Sequence, residues 1–133
     1  MSTSSPHVDV IVAEAKSHDD GDVAVIATDL AGTIVYWGDG AATLYGWPAE
    51  DALGKNVLDV TPTYSSSDEA ARIMEQLRRG EPWAGEFIVR RRDGRPILAH
   101  VTDLPVRAGA ELVGIVGLSR AERHPPTTDR STP

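Results

Sequence analysis

The chain has 133 residues, 41% hydrophobic and 25% charged, with 13 basic against 20 acidic side chains and a net charge of −7. That size and balance suit one globular domain with its own apolar core, and the negative field disfavours nucleic acid and anionic membranes as partners. Cysteine is absent, which excludes disulfides, thiolate metal sites, a cysteine nucleophile and a cysteinyl-flavin adduct.

No apolar run is long enough to span a bilayer. The opening MSTSSPHVDV lacks the apolar core of a signal peptide, so a cytoplasmic protein is expected. Residues 1–7 read as a frayed end. Residues 8–17 satisfy two periods: Val8, Ile11, Val12 and Ala15 share a helical stripe, while Val8, Val10 and Val12 alternate as in a strand. The reading leans to a short amphipathic helix, closed by the breaker HDDGD. The runs VAVIATD and TIVYW flank a short link and predict a hairpin.

Short helical phrases follow. Asp39 is the expected cap of a phrase ending at Tyr45, stopped by Gly46. Pro48 suits the first position of the next turn, which Gly54 ends. Asn56 caps one further turn at VLDV, and Pro62 shuts it off. The longest predicted helix is SSSDEAARIMEQLRRG. Ser66 and Glu69 make a capping box, Ala70, Ile73, Met74 and Leu77 form one apolar face, and Gly80 is the stop. Three strands, WAGEFIVRRRD, RPILAHVTDLPV and ELVGIVGLSR, then turn at Asp93-Gly94 and Ala108-Gly109. Residues 122–133 are polar and prolyl, a linker in composition. This order predicts an α+β fold: five antiparallel strands in one sheet if the last lies beside the first, with short helices over one face and space for a ligand beneath them.

Several motifs invite chemical readings. ATDLAGTI matches the opening of an aspartyl phosphatase at Asp29, Gly32 and Thr33, but Ala31 replaces the second carboxylate, so a hairpin turn is the better account. Gly38-Asp39-Gly40 lacks the rest of a phosphate loop. Asp19, Asp20 and Asp22 lack the spacing of a calcium loop. His7, His18, His100 and His124 have no metal-ligand spacing. His100 alone lies in a predicted strand, where it either faces the pocket and reads a polar head or lies on the outer face. Ser65, Ser66 and Ser67 read as capping residues, and Arg90, Arg91 and Arg92 as a solvated edge.

Tyr45-Gly46-Trp47, Ala52-Leu53-Gly54-Lys55-Asn56, Trp83-Ala84-Gly85-Glu86-Phe87 and Arg92-Asp93-Gly94 together resemble the ordered phrases of PAS domains across residues 20–121. The resemblance implies the strand order 2-1-5-4-3 and a sensory or partner-binding module rather than an enzyme. It implies a bacterial-type signalling or stress-response protein in which residues 1–19 are a flexible segment with a cap helix, 20–121 the PAS domain, and 122–133 a linker to a kinase, phosphatase or cyclase type of effector. Gly38 departs from the family's frequent Asn, and Ala121-Glu122-Arg123 from its frequent Asp-Ile-Thr ending. The long helix has no histidine where haem-binding members place one, so haem is not expected. Noncovalent flavin stays open, unmarked by any residue. The expected pocket is Leu44, Trp47, Val57, Leu58, Ile73, Leu77, Phe87, Val89, Val101, Ile115 and Leu118, with His100 as its polar candidate. Its apolar walls suggest a fatty acid or similar ligand whose carboxylate meets an Arg or His at the mouth; a filled core with signalling by protein contact is the alternative. The 8–17 stripe and the open sheet face suggest a homodimer.

Overall fold

The computed structural model describes residues 7–62 and 67–121. Strands β1 (Ala24–Asp29), β2 (Ile34–Trp37), β3 (Trp83–Arg90), β4 (Pro96–Ala108) and β5 (Glu111–Ala121) form one sheet in the order β2-β1-β5-β4-β3. Every neighbouring pair is antiparallel, and β5 lies beside β1, as the element order requires.

The helices are α1 (Val8–His18), α2 (Asp39–Tyr45), α3 (Ala49–Ala52), α4 (Val57–Val60) and α5 (Ser67–Arg78). None is long and apolar enough to cross a membrane among the described residues. The sheet separates two apolar layers. On one face Ala41, Tyr45, Ala52 and Val60 of the helical block bury Ala24, Ile26, Val89 and Ala99. On the other, Ile11 and Ala15 of α1 are fully buried against Val23, Val25, Ala27, Val106, Val113 and Val116. The ambiguous residues 8–17 are thus helical, and their apolar stripe is used within the chain.

Close approach decides two glycines. A Cβ at Gly114 would stand 2.5 Å from the Ile11 Cδ1 atom, so the missing side chain lets α1 lie on β5. A side chain at Gly38 would run into the Asp19 carboxylate. Asp19 accepts the Tyr36 hydroxyl at 2.5 Å and ties the end of α1 to β2. Burial, reinforced by that carboxylate, pushes the Tyr36 phenol up to about 12. The departure from Asn at position 38 therefore accommodates a local anchor.

Three sequence expectations are corrected. Asp39 is the first residue of α2, not its cap. Gly38 occupies the cap position without a side-chain bond, and Asp39 instead lies at the positive end of the helix dipole. Pro48 is the N-cap of α3 rather than its first residue. The arginine run is a solvated edge only in part: Arg90 and Arg92 are exposed, but Arg91 is half-buried, and two of the three reach the helical block. Arg91 donates to the Leu44 carbonyl at 2.7 Å, and Arg92 donates to Asp51 at 2.9 Å while its guanidinium lies 4.2 Å from the Trp47 ring centroid. These two side chains pin the β3–β4 turn to the helical block. Asn56 caps α4 as expected, its side chain accepting from the Leu58 amide at 2.9 Å. The capping box at Ser66 lies outside the described residues.

Candidate functional site: a cavity between sheet and helices

Strand alternation places every second residue on the helix-covered face. On β4 these are Ile97, Ala99, Val101 and Asp103; on β5 they are Ile115, Gly117 and Ser119. The short helices leave a cavity of about 280 Å³ above this surface. Its floor is Ile26 and Thr28 of β1, Phe87 and Val89 of β3, Val101 and Asp103 of β4, and Ile115, Gly117 and Ser119 of β5. Its roof is Tyr45 of α2, Val57 and Leu58 of α4, Thr61, and Ala70, Ile73, Met74 and Leu77 of α5. Leu58 lines the cavity and is yet 66% exposed, so the opening lies beside α4.

Eight of the expected residues come together here: Val57, Leu58, Ile73, Leu77, Phe87, Val89, Val101 and Ile115. Four lie elsewhere. Leu44 and Trp47 pack at the edge of the core around α2 and α3. Leu118 packs with the α1 layer on the opposite face. His100 lies on the outer face, exposed, with Nδ1 3.3 Å from the Glu86 carboxylate. Geometry forbids the full expected set. Side chains an odd number of positions apart in a strand point to opposite faces, so His100 cannot join Val101 beneath the helices, nor can Leu118 join Ile115.

The sequence reading missed the polar floor. Asp103 is opposite Gly117 in the β4–β5 ladder, and a Cβ on Gly117 would come within 3.1 Å of its Oδ1 atom. The bare glycine leaves the carboxylate open toward the cavity. Among the described residues this carboxylate makes no hydrogen bond and no ion pair, and burial alone pushes it up to about 7. Tyr45 is held above its ordinary phenolic range, chiefly by burial and further by the Asp103 charge, while the Ser119 hydroxyl works the other way. Thr61 donates its hydroxyl to the Val57 carbonyl at 3.0 Å, closing the end of α4. No Arg, Lys or His lines the cavity among the described residues. The signal for Asp103 was present: alternation from Ile97 through Val101 carries it onto the apolar face.

The other acidic candidates are occupied by backbone. Asp29 accepts from the Ala31 and Thr33 amides at 3.0 and 2.9 Å, which organises the β1–β2 turn. Asp20 accepts from the Asp22 and Val23 amides.

Comparison with known proteins identifies the architecture. The family described as PAS fold matches residues 19–120. The chain is 33% identical over 91 residues to the biofilm dispersion protein BdlA of Pseudomonas aeruginosa, a match covering 68% of this chain and 22% of that protein. It is 30% identical over 100 residues to two-component system protein A of Emericella nidulans, covering 74% of this chain and 15% of that protein. The chain therefore spans under a quarter of the length of either relative. Among solved structures, a PAS domain from Colwellia psychrerythraea is 26% identical with a TM-score of 0.70, covering 86% of this chain and 98% of that one. A light-oxygen-voltage domain studied with a flavin analogue superimposes with a TM-score of 0.69 at 20% identity, covering 84% and 85% of the two chains, and shares the fold alone.

The cavity residues do not fit a cysteinyl flavin nucleotide. The chain has no thiol to form the adduct, and the described lining has no cation for a phosphate tail.

Proposed function

The chain belongs to the PAS family, and from that premise we propose that it is the sensory input of a longer signalling protein, taking a small, largely apolar ligand into the cavity beneath α4 and α5. The observation that carries this reading is the cavity itself. About 280 Å³ lies at the small end of ordinary ligand sites, and its walls are mainly aliphatic and aromatic. Filling such walls with hydrocarbon is favourable by about 25 cal/mol per Å² removed from water. A fatty acyl chain suits the walls, although a fatty acid's carboxylate finds no cation among the described lining residues.

Occupancy would act by population shift. A ligand that prefers one packing of α4 and α5 on the sheet changes the weight of that packing, and β5 carries the change toward residues 122–133 and an effector beyond them. Native mass spectrometry of gently purified protein tests this. The expected result is a retained small apolar molecule, or uptake of added short acyl compounds; an empty protein that no such compound stabilises counts against it.

Self-association is a second reading, favoured by the outer face of β3, where Ile88 is 47% exposed. A homodimer through that strip would pass signals without a ligand, and light scattering showing a monomer at high concentration would remove it.

A further inference from the structure

Asp103 is a half-buried carboxylate to which the proposed function gives no task. Asp103 sits mid-sheet on β4 and faces the cavity across Gly117, whose missing side chain keeps the approach open. No hydrogen bond or ion pair satisfies it among the described residues. The polar groups around it are Thr28 from β1, Tyr45 from α2 and Ser119 from β5, and no cation faces it from α4 or α5. Thr61 is the remaining polar residue of the described lining, its hydroxyl donated to the Val57 carbonyl, and the other described side chains of the lining are apolar. A carboxylate half-buried in an apolar cavity favours a ligand that brings a donor, because a carboxylate withdrawn from water without one is costly.

We propose that the ligand of this cavity carries an N–H donor, an amine on a compact apolar body, and that the Asp103 carboxylate receives it. The proposal rests on the ligand-binding reading and narrows it. A fatty acid is disfavoured with its head inward, since two carboxylates would meet in a dry site. A hydroxyl is tolerated as a weaker neutral donor. A hydrogen bond to a buried charge changes affinity by about tenfold to a hundredfold. Burial of Asp103 adds a second signature. Its carboxylate ionises late, so amine affinity should rise between pH 6 and pH 8, where an alkylamine stays protonated. Tyr45, the one other titratable residue among the described lining, stays neutral across that range.

The test is calorimetric titration of the full chain with octylamine, octanol and octanoate, matched in length. The expected order is amine over alcohol over acid. Asp103→Asn should cost the amine tenfold or more and leave the alcohol within about threefold. High salt and the same variant control for amine attraction to the acidic surface. Amide shifts of the unsubstituted protein give a second measurement, with amine-dependent changes expected at Asp103 and Gly117. Octanoate binding as tightly as octylamine, or equal amine affinity in Asp103→Asn, overturns the proposal while the cavity reading stands. If none of the three binds at millimolar concentration, the ligand reading falls and the proposal with it.

Discussion

Replacing Asp103 by Asn should stabilise the domain above pH 7 and change it little near pH 4. Burial raises the Asp103 carboxyl from its ordinary 3.8 to about 7 in the folded state. Well below 3.8 the carboxyl is protonated whether the chain is folded or not. Between pH 4 and 7 the folded state keeps a proton that the unfolded state has lost, so folding weakens as pH rises through this window and levels off above it. Each unit is worth about 1.36 kcal/mol, which puts the full loss at about 4 kcal/mol, reduced by whatever water in the cavity solvates the charge. Asn keeps the shape and never ionises. Against a typical domain stability of ~5–15 kcal/mol the difference is large. It corresponds to about 15 °C in melting temperature at this size. Urea denaturation of both proteins from pH 4 to 8 measures it. Stability curves that run parallel across the range would refute the assignment of a half-buried, unpaired carboxylate.

Other substitutions probe the frame around the cavity. Gly114→Ala forces a methyl group against Ile11 and the Thr28 carbonyl and should cost about 1–3 kcal/mol in urea, with earlier loss of α1 by hydrogen exchange. Arg92→Ala removes both the exposed Asp51 pair and the face over Trp47 and should cost about 1 kcal/mol, while Arg92→Lys, which keeps only the charge, should recover less than half of it. Leu58→Trp enlarges an exposed residue at the opening and should slow or block octanol uptake while stability stays within about 0.5 kcal/mol.

Most of the sheet was legible because its strands are β-branched runs separated by glycine turns, and the meander leaves few alternatives for β5. The brevity of α2, α3 and α4 was legible too, since Gly46, Pro48, Gly54 and Pro62 punctuate them. The clamp made by Arg91 and Arg92 was not, because its partners in α2 and α3 lie 41 to 48 residues away and no local pattern links them. Leu118 was misplaced by reading residue chemistry ahead of strand parity, while His100, for which both faces were open, lies on the outer one. Asp103 was overlooked for the converse reason: a carboxylate near the middle of a long strand reads as solvent-facing until alternation from Val101 puts it inside. The polar centre of the cavity thus depends on register, which the fold supplies.

Crystals pressurised with xenon test the cavity most directly, since an apolar void of this size binds the gas without any knowledge of the natural ligand. The expected result is a single strong peak enclosed by Leu77, Phe87 and Ile115. Density showing those three side chains closed on one another, with no xenon between sheet and helices, would contradict the account.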